Sequence, residues 1–178
     1  MTANPAGELS NEYFILWVMV AQTKDAVLKA RQRDYAQFGT NNERRAVLWC
    51  IQNNGGLATP VEIARQLFRE LHSVTEMLDR MIGEGLIKKG KSSGRSRSVI
   101  RLTRKGLEVF NQSLHNRTDQ KIFSILSKKE RQNLMSSLWK VRNQALHELG
   151  IPEWQFKFPL DPNGTKGQKI PTRLKNPV

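Results

Sequence analysis

Four local signals fix where helices begin in this chain, and they dictate a mostly helical fold. Thr40-Asn41-Asn42-Glu43, Thr59-Pro60-Val61-Glu62, Ser73-Val74-Thr75-Glu76 and Ser127-Lys128-Lys129-Glu130 each read as a capping box. In such a box the hydroxyl accepts from a first-turn N–H, and the glutamate reaches back to the cap backbone. Pro60 at a first helical position strengthens the second box, because no donor is lost there. Gly39, Gly55-Gly56, Gly83 with Gly85, and Gly150 supply the matching stops.

Apolar spacing fills in the elements. A long helix over about 11–38 carries Phe14, Trp17, Ala21, Leu28 and Tyr35. The next helix runs to about Gln52 with Ala46, Val47, Cys50 and Ile51 inward, and a third buries Ile63, Ala64, Leu67 and Phe68. Arg69–His72 reads as a connection. Val74, Met77, Leu78, Met81 and Ile82 then recur at i, i+3, i+4, i+7 and i+8. Leu86–Lys91 and Ser98–Leu102 are strands around a Ser92-Ser93-Gly94 turn. Thr103 caps a helix read as continuous to about Leu126. Leu134, Leu138, Val141, Ala145 and Leu149 line the last one. Residues 1–10 are expected to be a flexible leader. Residues 151–178 form a basic tail holding five of the seven prolines, with Trp154, Phe156 and Phe158 alternating as an extended segment would.

The predicted class is therefore mostly α with a small β-hairpin: a winged helix-turn-helix lobe over about 40–103, between long helices at about 11–38 and 104–149. A helix of this width fits a major groove, and a flanking hairpin carries cations to the backbone. The charge agrees. The formal net charge is +13, and +8 of it falls between Leu86 and Gly106, where Lys88, Lys89, Lys91, Arg95, Arg97, Arg101, Arg104 and Lys105 meet no acid. A polyanionic partner follows. A membrane surface does not, because these cations sit around a turn and not along an amphipathic helix. The helix before the hairpin is almost neutral, its outward set being His72, Ser73, Thr75, Glu76, Asp79 and Arg80. The predicted DNA contacts are His72, Ser73, Thr75, Glu76 and Arg80 on this helix, with Lys91, Arg95, Arg97 and Arg101 on the hairpin. Glu76 can accept from a cytosine amino group or serve only its capping box.

The stretch from Asn42 to about Gly150 resembles the MarR (multiple antibiotic resistance regulator) type of transcription factor. The likeness rests on Glu62-Ile63-Ala64, Ser73-Val74-Thr75, Leu78-Asp79-Arg80-Met81 with Gly85-Leu86-Ile87, and Leu102-Thr103-Arg104-Lys105-Gly106, in that order. It implies a homodimer joined through its N-terminal and last two helices, two winged lobes on a pseudo-palindromic double-stranded operator, and usually a repressor relieved by a small aromatic or anionic effector. The wing departs from the family pattern. Its tip reads Ser92-Ser93-Gly94-Arg95-Ser96-Arg97, without the usual aspartate, so Arg95 and Arg97 are both candidates for the groove-entering arginine.

Other chemistry finds little support. The lone Cys50 lies on an apolar face and reads as a small buried hydrophobe. His72, His115 and His147 lack zinc spacing. No phosphate loop, nucleophile elbow or carboxylate pair is present, so neither an enzyme nor a metal or cofactor is expected. Trp17, Tyr35 and Trp49 read as core aromatics. The run Tyr13–Ala21 is too short to span a bilayer and lacks the basic flank of a signal peptide, so a cytoplasmic protein is expected. The alternative is an adaptor whose winged helix binds an acidic protein, suggested by Glu76, Asp79 and the aromatic tail.

Overall fold

The computed structural model describes residues 5–92, 95–115, 117–153 and 156, with side chains for all of these except 5–10, 91–92 and 95–97. Two compact units divide the chain, Met1–Ile122 and Phe123–Val178.

The first unit opens with α1, Pro5–Gln37. It starts well before Asn11, so part of the expected leader is helix. A Schellman closure ends it: Gly39 has φ +64°, and the Thr40 N–H reaches the Tyr35 carbonyl at 3.1 Å. That closure ties down the Thr40 backbone, and the cap of α2 (Asn42–Asn53) passes to Asn41, whose side chain accepts from the Arg44 N–H at 2.8 Å. Glu43 is thereby released from the expected box and pairs with Arg69. In α3, Pro60–Gln66, the predicted box is intact: Glu62 accepts from the Thr59 N–H at 2.7 Å, and Thr59 accepts from the Glu62 N–H.

Helix α4 spans Leu71–Gly83, two residues earlier than its predicted start at Ser73. Phe68 explains the shift. It takes a left-handed backbone, φ +51°, and lets the Arg69 N–H close onto the Ala64 carbonyl at 3.0 Å. The chain turns from α3 into α4 within four residues. Phe68 consequently points outward, 58% exposed, against the expectation that it is core.

A three-stranded antiparallel sheet follows, with β3 (Arg95–Leu102) central between β2 (Ile87–Ser92) and β1 (Leu57–Ala58). Strand β1 is absent from the sequence reading; Leu57 stands opposite Arg101 and Ala58 opposite Ile100. The core of the unit is Val47, Leu48 and Ile51 of α2, Ile63 of α3, Val74, Leu78 and Met81 of α4, and Ile87 and Ile100 of the sheet. Each such side chain contributes about 1.5–3 kcal/mol relative to exposure.

The helix expected from Thr103 to Leu126 is interrupted. It comprises α5, Arg104–Ser113, and α6, Thr118–Phe123. Leu114 and His115 donate to Asn111 and Gln112 in a tight turn, and the Thr118 hydroxyl is bonded to Asp34 of α1. A distant side chain thus fixes the break.

The second unit holds α7, Lys128–Glu148, started by the predicted box of Ser127 and Glu130. Its expected inward line is largely exposed: Leu134 at 38%, Leu138 at 45%, Val141 at 62% and Leu149 at 65%, while Leu146 is buried. On α1, Phe14 and Trp17 are likewise exposed, and only Tyr35 of the predicted set is fully buried. In the tail Phe156 is buried; Trp154 and Phe158 lie outside the described residues. Among the described residues no helix is long and apolar enough to cross a membrane.

Candidate nucleic-acid interface

Helix α4 and the base of the β2–β3 hairpin meet at a joint built from the segment Leu102-Thr103-Arg104-Lys105-Gly106. The Thr103 hydroxyl donates to the Gly85 carbonyl at 2.6 Å and accepts from the Gly106 N–H at 3.0 Å, capping α5. The Thr103 N–H donates to the Leu86 carbonyl at 3.1 Å, while the Leu86 N–H closes α4 by donating to Met81. Gly106 is packed so closely that a Cβ there would lie 1.9 Å from the Leu86 carbonyl oxygen. Lys105 donates to the Glu84 carbonyl at 2.8 Å, a cation on the C-terminal end of α4. Glu84 in turn takes both arms of Arg44 from α2, Nε at 2.8 Å. The exit of α4 is thus tied to the entry of α5, the strand base and α2.

The other end of α4 is open. Glu70 at its N-cap makes no side-chain capping bond, which leaves first-turn N–H groups for solvent or an anion. His72, Thr75, Glu76 and Arg80 are exposed and Ser73 is half-buried. The predicted box at Ser73 does not form, because Ser73 already lies inside the helix; its hydroxyl sits 3.3 Å from His72 Nε2. Thr75 donates to the Leu71 carbonyl at 2.9 Å. Glu76, freed from any capping role, makes no side-chain hydrogen bond or ion pair among the described residues. Arg80 lines a hollow of about 190 Å3 with Asn41, Glu43, Arg44, Met77 and Met81. Asp79, one of the acids behind the adaptor reading, pairs with Lys89 of β2 at 3.2 Å. This exposed pair contributes less than about 1 kcal/mol, but it offsets the charge of the helix.

On the hairpin, Arg101 is half-buried on the central strand, opposite Lys88. Its guanidinium stem crosses β2 at Gly90, where a Cβ would meet Arg101 Nε at 3.2 Å. Gly90 therefore lets Arg101 lie flat across the sheet, a role that only the strand register reveals. Lys91 stands opposite Ser98, and Arg95 opposite Ser92 beside an irregular register. The side chains of Lys91, Arg95 and Arg97, and the tip at 93–94, lie outside the described residues.

Two further features of the first unit bear on chemistry. Cys50 is 1% exposed, and burial pushes its thiol up to about 12. Arg45 lies over the Phe110 ring at 4.4 Å, with a buried Nε that makes no hydrogen bond; burial, first among several causes, lowers its pKa. No group of three His, Cys, Asp or Glu side chains among the described residues is placed to hold a metal ion.

Comparison with known proteins agrees with this arrangement. The MarR family model matches residues 41–99. The organohalide-sensing transcriptional regulator RdhR-CbdbA1625 is similar in its ligand-free form, with a TM-score of 0.72 and 27% identity over 96% of this chain and 97% of that one. Its 2,4-dichlorophenol-bound form is 30% identical over 82% of this chain and 88% of the other, with a TM-score of 0.68. A mutant MarR from E. coli, complexed with operator DNA, shares the fold at 21% identity and a TM-score of 0.67, over 74% of this chain and 96% of its own. None of the curated proteins matches the chain.

Proposed function

The chain belongs to the MarR family of winged-helix transcription regulators, and from that premise we propose that it is a homodimeric, sequence-specific reader of double-stranded DNA, acting as a repressor that a small aromatic or anionic ligand releases. The observation that carries the reading is the joint that sets α4, with its uncapped N-terminus, beside an all-basic hairpin. The helix enters a major groove and reads base edges with His72, Thr75 and Glu76. The hairpin supplies the backbone grip through Lys91, Arg95, Arg97 and Arg101, since α4 itself carries almost no net charge.

Exposed apolar side chains support the dimer. Tyr13, Phe14 and Trp17 of α1 are each more than 60% exposed in the single chain, and, separately, Leu138 and Val141 of α7 are 45% and 62% exposed; clusters of large exposed apolar side chains mark interaction surfaces. One winged lobe alone gives limited specificity, and two on a pseudo-palindrome resolve that. The dichlorophenol-bound form of the 30%-identical regulator supports a small aromatic effector.

The test is an anisotropy titration of the full chain against duplex from its own promoter and a scrambled duplex, over a range of salt. Tighter binding to the promoter is expected. Replacing Arg95 and Arg97 with Ala should flatten the salt slope by about 1–2 units. Equal affinity for both duplexes, or a monomer by analytical ultracentrifugation at the same concentration, would reject the proposal.

A further inference from the structure

The outward face at the start of α4 is not the polar surface that the sequence suggests. Because the helix begins at Leu71 and not at Ser73, an aliphatic side chain occupies its first position, 46% exposed. Phe68, one turn of chain earlier, is 58% exposed on its left-handed backbone. One turn further along α4, Thr75 stands on the same face as Leu71, four residues on. Its hydroxyl hydrogen is committed to the Leu71 carbonyl. It cannot donate to a base without breaking that bond, and keeps a methyl group and oxygen lone pairs to offer. Ser73, the other hydroxyl of this turn, is half-buried beside His72. The two hydroxyls expected here are thus engaged or turned away, and Leu71 with the Thr75 methyl group leaves an apolar strip beside the exposed His72.

A major groove presents one apolar feature, the C5-methyl of thymine. Resting on the proposed DNA-reading function, we propose that Leu71 and Thr75 are specificity-determining residues that read thymine by contact with its 5-methyl group. The occupant of this face is then a thymine methyl in the groove and not a protein partner. Charge argues the same way. The apolar face lies at the uncapped, positive end of α4, on an element joined to a hairpin whose described cations Lys88, Lys89 and Arg101 suit a phosphate backbone. Glu76, one residue beyond Thr75, makes no side-chain bond of its own and accepts from an amino group on the neighbouring base.

The two readings fail separately. Duplexes are selected from a random library with the full chain, and the best is resynthesised with deoxyuridine in place of individual thymines. Deoxyuridine keeps every hydrogen-bonding group and lacks only the methyl. Loss of one buried methyl contact weakens binding about fourfold in one half-site and about fifteenfold when both are changed. Leu71→Ala and Thr75→Ser should each abolish the thymine-over-deoxyuridine preference at one position. Both substitutions are at exposed sites, and Thr75→Ser retains the bond to the Leu71 carbonyl, so each variant is expected to match the parent in thermal unfolding. Selection of no sequence above background overturns the DNA-reading function, and this inference with it. A selected duplex bound equally well with thymine or deoxyuridine at every position overturns the inference alone.

Discussion

Gly106→Ala tests whether the joint between α4 and the hairpin is as tight as its geometry says. Helix propensity alone favours the change, since alanine is about 1 kcal/mol better than glycine inside a helix. Packing predicts the opposite sign. The new Cβ would sit 1.9 Å from the Leu86 carbonyl oxygen, where real contacts do not fall below 3.0 Å, so one backbone must move by more than an ångström. That carbonyl is not free to yield, because it accepts from the Thr103 N–H at 3.1 Å and its own residue closes α4 through Met81. Overpacking of this kind costs roughly 1–3 kcal/mol, and stretching the Thr103 bond adds about 1 kcal/mol. After subtracting the propensity gain, a net loss of about 1–3 kcal/mol is expected, centred on about 2 kcal/mol, or about 4–8 °C in Tm for a chain of this size. The assay is thermal unfolding by circular dichroism at one fixed protein concentration, because association shifts Tm. Gly90→Ala is the internal control. Its Cβ approaches the flexible Arg101 side chain at 3.2 Å and lies in ordinary contact with Val99 at 3.7 Å, and Tm should change by less than about 2 °C. A Gly106→Ala protein as stable as the parent, or a Gly90→Ala protein equally damaged, would refute the reasoning.

Two further predictions concern the same lobe. Arg44 and Glu84 form a two-armed pair at about one-third exposure, so solvent screening leaves a coupling of about 0.5–1.5 kcal/mol; a double-mutant cycle with Arg44→Met and Glu84→Gln should find it, and a value near zero would mean the contact is incidental. Burial holds the Cys50 thiol protonated up to about 12 against a usual 9.0, so a thiol reagent at pH 8 should label it only as fast as the protein unfolds. The sign for stability follows from the unfolded state, which gives up this proton first: the contribution is complete below pH 9 and declines above it, by at most about 1.4 kcal/mol per pH unit. Rapid labelling of the native protein would contradict this.

What was legible in the sequence was whatever is decided locally. The boxes at Thr59 and Ser127 form because both partners lie within one helical turn and nothing else competes. The boxes at Thr40 and Ser73 fail because the preceding helix ends in a left-handed turn that resets where the next one starts, at Gly39 in one case and Phe68 in the other. A left-handed phenylalanine has no sequence signature, and its consequence, the apolar Leu71 at the head of α4, was hidden with it. The break between α5 and α6 rests on Thr118 meeting Asp34, 84 residues away. Strand β1, two residues long, has no periodicity to detect. The basic hairpin was plain from charge alone, whereas the part of Gly90 in seating Arg101 needed the register.

On the proposed function, the distribution of charge and apolar surface separates two quantities that a DNA reader must combine. Cations of the hairpin attract any duplex, and they do so wherever the hairpin points. The face of α4 discriminates only when it is seated, and it has little charge with which to seat itself, since Asp79 and Lys89 already answer each other. Specific affinity therefore depends on the hairpin arriving at the backbone in the same event that places Leu71 and Thr75 against bases, which makes the second contact effectively intramolecular. The Thr103–Gly106–Leu86 joint enforces that coincidence. Loosening it removes no charge and no reading side chain, so it should erode discrimination between sequences while leaving the affinity for unselected DNA nearly intact.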